Sequence, residues 1–150
     1  MLRTSAPLVL LAAALVAAAC SKGEQVQQQA PPTGTPSAAA AGGPFTPDPG
    51  GKVITVEMET DAQGNNVFRP AEFEARRGDV IRYTLVSGVH NVHFVADSNP
   101  GVTGLPPASE LLQLPGQTYD VKVGWDPGRY YFQCDPHALL GMIGYVTVVP

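Results

Sequence analysis

From residue 52 onward, no stretch of ten residues spaces its apolar side chains at the 3.6-residue period of a helix. They recur at every second position instead. In residues 52–59, Ile54, Val56 and Met58 fall on one side and Thr55, Glu57 and Glu59 on the other; in residues 80–86, Ile81, Tyr83 and Leu85 oppose Arg82 and Thr84. Strands divided this way bury one face, and the Gly, Pro and Asp between them supply turns. Phe73 and Ala75 belong to a further strand that turns at Arg77-Gly78-Asp79, where glycine provides the positive φ of a tight turn. Residues 90–95, 119–123, 129–134 and 142–149 read as strands, with a turn at Asp126-Pro127-Gly128. Residues 96–116 form a long Pro- and Gly-rich excursion with one short helix or strand at 109–114. The predicted fold class is all-β, a sandwich of about seven strands without internal repeats. A module of residues 51–150 is long enough to bury somewhat over 60% of its unfolded surface, which sustains one core without disulfides.

The N-terminal third has a different texture. Arg3 precedes an unbroken apolar run of 12 residues, 8–19, too short to span a bilayer and suited to a signal peptide over residues 1–19. The run ends Ala17-Ala18-Ala19-Cys20. A Cys after small residues resembles the bacterial lipobox, which implies lipidation of Cys20; plain cleavage after an A-x-A site stays open, and a buried N-terminal helix is the remaining alternative. By the same resemblance, Ser21 after the Cys favours the outer membrane. Residues 20–50 are rich in Pro, Gly, Gln and Ala, and Val26 and Phe45 are the only large apolar residues in them. Such a segment is expected to be a disordered linker. It would reach roughly 30 Å as a flexible coil, either as a tether or as a spacer of no required length. The chain is therefore expected to be exported, to lie in the periplasm, and to touch a membrane only through a lipid anchor. Net charge is −4, from 9 Lys plus Arg and 13 Asp plus Glu, which excludes a nucleic-acid binder that needs a clustered basic surface.

The chemistry lies in residues 130–142, where Cys134, His137 and Met142 are spaced C-x2-H-x4-M. Period-2 parity puts Tyr130, Phe132 and Cys134 on one face and aims the thiol inward at the end of a strand. A short loop then presents His137 and Met142 to the same point. Upstream, His90 and His93 compete for one place. They are three apart and face opposite sides, and His90 shares parity with Val92 and Phe94, so His90 joins the set and His93 reads as a surface or edge histidine. Each residue has a plainer alternative: Cys134 as a buried inert thiol, His137 as a solvent-facing loop residue, Met142 as core filler. Two imidazoles, a thiolate and a thioether together suit one copper ion cycling between Cu(I) and Cu(II). All four positions would be filled by protein, leaving no open metal site for a substrate, so no enzyme activity is expected.

At these residues the chain resembles the cupredoxins, small blue copper proteins of the plastocyanin and pseudoazurin kind. The resemblance runs from about Phe68 to Val149 through Gly78-Asp79, His90-Asn91-Val92, Pro127-Gly128-Arg129-Tyr130, the Cys134-His137-Met142 spacing and Gly144-Tyr145-Val146-Thr147-Val148. It implies a cupredoxin-like Greek-key β-sandwich, with His90, Cys134 and His137 in the plane of the metal and Met142 axial. It also implies that the backbone N–H of Asn91 donates to the Cys134 sulfur. Plastocyanins carry a Tyr before the ligand Cys as a remote electron port, where this chain has Gln133; that leaves the His137 edge as the route. Ala138, Leu139 and Leu140 would collar that edge as a small docking face. The expected function is one-electron transfer by a monomer between transient redox partners such as c-type cytochromes or membrane oxidoreductases. Copper binding or delivery in the periplasm is the alternative, and a structural lipoprotein holding zinc is a distant third. A Cys20–Cys134 disulfide is disfavoured, because it would consume the ligand thiol. Trp125 is expected to pack rather than conduct, and Arg76-Arg77 to be a solvated corner.

Overall fold

The computed structural model describes residues 44–150. The expected signal peptide, Cys20 and most of the linker lie outside the described residues. The described residues hold seven strands: β1 (Val53–Thr60), β2 (Asn66–Arg69), β3 (Glu72–Arg76), β4 (Val80–Leu85), β5 (Thr118–Lys122), β6 (Gly128–Gln133) and β7 (Ile143–Val149). They form two sheets, ordered β2-β1-β4-β5 and β3-β7-β6. β1 runs parallel to β4 and β3 parallel to β7, while the other ladders are antiparallel. The architecture is an all-β two-sheet sandwich, the class read from the alternation. Among the described residues no helix is long and apolar enough to cross a membrane.

The alternation read from the sequence places the core. Val56, Met58, Ile81, Tyr83, Leu85, Tyr130, Phe132 and Cys134 are all buried, and Ile54 packs against them. Phe132 is the hub. Its ring meets those of Phe68, Tyr83 and Phe94 at centroid separations of 4.9, 5.3 and 5.5 Å, in the edge-on and tilted arrangements that aromatic quadrupoles favour. Gly144 faces it on β7, and a Cβ there would lie 2.6 Å from Phe132 Cε2 and 2.7 Å from the Ala71 carbonyl oxygen, so only glycine lets the ring in. Trp125 does pack, against Phe94 and Tyr130 at 5.0 Å each, with its Nε1–H donating to the Gly104 carbonyl. Arg77 lies at the surface beside Asp126.

Three expectations change. Residues 90–95 are not a ladder strand: His90 bridges to Leu112 on one side and His93 to Gln133 on the other, so the segment spans the gap between the excursion and β6. The excursion holds no regular element at 109–114, only that bridge at Leu112. The chain is also anchored before residue 51. The Phe45 N–H donates to Asp120 Oδ2 at 2.9 Å, the Asp48 N–H to the Gly78 carbonyl at 2.9 Å, and Lys122 Nζ to Asp48 Oδ1 at 2.6 Å. Composition misses this, because most of those bonds use backbone groups that every residue carries.

Candidate metal centre

Cys134 sits in extended backbone at the end of β6 and opens a single 3₁₀ segment, Asp135–Leu140. Pro136 stands in its first turn, where a missing N–H costs nothing, and Gly141 ends it in the left-handed conformation at φ 93°. The turn ties three candidate ligands together by backbone bonds: His137 N–H to the Cys134 carbonyl at 3.0 Å, Met142 N–H to the His137 carbonyl at 3.1 Å, and Cys134 N–H to the Met142 carbonyl at 3.1 Å. His90 arrives from the other side, fixed by its bridge to Leu112.

The side chains converge. His90 Nδ1 lies 3.2 Å from His137 Nδ1 and 3.7 Å from Cys134 Sγ, and Cys134 Sγ lies 3.3 Å from His137 Nδ1. Among the described residues this is the one cluster of three such groups whose ligand atoms all lie within 4.8 Å of one another. A point equidistant from three atoms so spaced is about 2.0 Å from each, against typical metal–nitrogen and metal–sulfur lengths of about 2.0–2.3 Å. The residues therefore fit a metal ion as they stand. Met142, just before β7, is fully buried, as are His90 and Cys134, while His137 is half-buried. His93 stays out of the cluster, and its Nδ1 pairs with Asp135 Oδ1 at 2.9 Å near the surface.

The environment favours a neutral imidazole and a held thiol. Burial pushes the His90 ring below its ordinary value, and the neighbouring His137 adds to this against an opposing bond to the Ser87 backbone. Burial pushes the Cys134 thiol up, opposed by backbone hydrogen bonds from Asn91 and His137. The Asn91 backbone is thus among the groups that act on the Cys134 thiol. A second role of Asn91 escaped the sequence reading. Its side chain donates from Nδ2 to Asp135 Oδ2 and accepts the Asp135 N–H at Oδ1, both at 2.8 Å, which pins the residue next to Cys134. Burial alone would raise the Asp135 carboxyl, but hydrogen bonds from Gln133, Asn91 and His93 outweigh it and hold the group below its usual value.

A model of copper binding proteins of the plastocyanin/azurin family matches residues 54–149. The chain belongs to the plastocyanin/azurin family. Chloroplastic plastocyanin of Hordeum vulgare is 37% identical over 103 residues, covering 66% of this chain and 66% of the barley sequence. Plastocyanin of Vicia faba is 41% identical over 92 residues, covering 58% of this chain and 92% of its own. The oxidised plastocyanin of the fern Dryopteris crassirhizoma superposes with a TM-score of 0.53 at 32% identity, over 64% of this chain and all of the fern chain. The site is thus a type 1 copper site of His90, Cys134, His137 and Met142 for one ion. Plastocyanin-like cupredoxins carry electrons and are not enzymes. In such a site copper supplies a one-electron couple, and the protein's part is to hold thiolate, thioether and imidazoles in one arrangement for both valences.

Proposed function

We propose that this chain carries single electrons in a bacterial envelope, between redox proteins such as c-type cytochromes or membrane oxidoreductases, and that electrons enter and leave through the His137 edge. The exposure of the ligands is the observation that supports this most. His90, Cys134 and Met142 are fully buried, whereas His137 reaches the surface in a turn whose Leu139 and Leu140 are 102% and 72% exposed. Tunnelling falls steeply with distance, so the ligand nearest solvent is the exit. Ala138, Leu139 and Leu140 give that exit an apolar rim for brief contacts with many partners. Gln133, in place of the plastocyanin tyrosine, is engaged with Tyr131 and Asp135 and offers no aromatic alternative.

The envelope location rests on Arg3, the apolar run and the small residues before Cys20, with lipid on Cys20 as the anchor to the outer membrane. The enclosure of three ligands argues against copper delivery, which needs an ion that leaves readily. Stopped-flow electron exchange with a c-type cytochrome tests the reading. Fast exchange that slows at least tenfold in Leu139→Lys with the reduction potential unchanged supports it. Slow exchange with cytochromes, alongside copper transfer to an apo-acceptor, would replace it with the delivery function. Intact mass of the native protein, compared with Cys20→Ala, tests the anchor.

A further inference from the structure

His90 has two ring nitrogens, and only Nδ1 points into the metal cluster, 3.2 Å from His137 Nδ1. A neutral imidazole carries one proton. Nδ1 can therefore offer a lone pair to copper only if that proton stays on Nε2. Nε2 faces Thr60 Oγ1 at 3.3 Å, and the Ser87 backbone also draws on the ring N–H. A hydroxyl by itself does not select a tautomer, since it can accept from an N–H or donate to a bare nitrogen. Asn66 removes that freedom. Thr60 Oγ1 donates its one proton to Asn66 Oδ1 at 2.7 Å and turns its lone pairs to His90.

We propose that Thr60 and Asn66 are positioning residues of the copper centre: the Asn66 carbonyl sets the direction of the Thr60 hydroxyl, and that hydroxyl acts with the Ser87 backbone to keep the His90 proton on Nε2. The fold holds this relay from several sides. Thr60 and Asn66 are paired in the β1–β2 ladder. The Thr60 backbone is bound at both ends by Ser87, whose Oγ donates to the Thr60 carbonyl at 2.9 Å and accepts the Thr60 N–H at 3.2 Å. Gly88, at φ 84°, lies directly over the bond. A Cβ on it would collide with Thr60 Oγ1 and come within 2.7 Å of His90 Nε2, so the chain carries no side chain at that point. Among the described residues, neither Thr60 nor Asn66 hydrogen-bonds to Cys134, His137 or Met142.

An imidazole whose N–H is held by an acceptor is a stronger donor at its other nitrogen. The more charged Cu(II) gains more from this than Cu(I). Loss of such outer hydrogen bonds lowers metal affinity about 10–100-fold. We therefore expect Thr60→Val and Asn66→Leu each to lower Cu(II) affinity about tenfold. If Cu(I) affinity holds, a tenfold change raises the one-electron potential by about 59 mV. Because the two residues act in series, the double variant should be no worse than Thr60→Val alone.

The test reads the His90 tautomer by nitrogen-15 NMR in the metal-free protein, then Cu(II) affinity by chelator competition and the potential of the loaded protein. The native chain should show Nε2–H alone, Asn66→Leu a mixture, and Thr60→Ser and Asn66→Asp, which keep a hydroxyl and an acceptor, the native tautomer. The proposal is overturned if folded Asn66→Leu keeps the native tautomer and potential, if Thr60→Ser behaves like Thr60→Val, or if the two losses add. Should Asn66→Leu not fold, Asn66→Asp still decides, because a proton on Nδ1 there would also refute the relay.

Discussion

Replacing Asn91 with Ala removes two bonds and no ligand. The Asp135 N–H loses its acceptor at 2.8 Å and the Asp135 carboxylate loses a donor at 2.8 Å. Asn91 is buried and the bond it accepts from Asp135 is part-buried, so water replaces it only in part. An unsatisfied buried donor costs about 1–3 kcal/mol, and a hydrogen bond to a charged group is worth about 1.5–3 kcal/mol. The second figure is discounted here, because Asp135 is 41% exposed at its side chain and keeps Gln133 and His93. A loss of about 2–4 kcal/mol in the metal-free protein follows, or about 10–20 °C in midpoint for a domain of about 100 residues. Urea denaturation of metal-free Asn91→Ala against the native chain measures it, with Gln133→Ala, whose bond to Asp135 lies at the surface, as a control expected to lose under 1 kcal/mol. The Asn91 side chain is not a ligand, so the blue colour should persist in Asn91→Ala. Equal losses in the two variants would refute the pin, and so would loss of the colour.

Other predictions rest on separate features. Tyr83 is fully buried, and among the described residues its hydroxyl has no hydrogen-bond partner. Tyr83→Phe should therefore stabilise the protein by about 1 kcal/mol, and a destabilised variant in chemical denaturation would show a partner for that oxygen. Gly144→Ala should cost at least about 2–3 kcal/mol by forcing Phe132 out of place, read as a lowered thermal midpoint. The Cys134 thiol is raised by burial, and copper displaces its proton, so Cu(II) affinity should rise with pH through the neutral range, approaching tenfold per unit, in chelator titrations. A flat profile would mean that no thiol proton leaves on binding. The same shift has the opposite sign for metal-free stability: the raised thiol supports the fold below its unfolded value and loses that contribution as pH rises through the folded one.

What the sequence showed and what it hid follow from the range of each interaction. The inward parity of Ile54, Val56 and Met58, and of Tyr130, Phe132 and Cys134, is local to one strand and legible at once. So was the choice of His90 over His93, since odd spacing on extended backbone separates them. β2 (Asn66–Arg69) was missed, because four residues with Phe68 as the one buried side chain give no alternation to detect. The 3₁₀ turn Asp135–Leu140 read as a plain loop, though Pro136 and Gly141 mark its ends. The long-range polar contacts left no signal. Asn91 meets Asp135 across 44 positions and Thr60 meets His90 across 30, and only the folded register brings them together. The anchoring of Phe45 to Asp120, across 75 positions, was hidden for the same reason.

The central claim is that Cys134 sulfur and the Nδ1 atoms of His90 and His137 share one copper ion with Met142. X-ray absorption of the copper-loaded protein, taken with its visible spectrum, tests this most directly. A short copper–sulfur bond with two nitrogen neighbours, and an intense sulfur-to-copper charge-transfer band that disappears in Cys134→Ser while the sandwich stays folded, is the predicted result. Copper bound by nitrogen and oxygen alone, or a band that survives in Cys134→Ser, would contradict it.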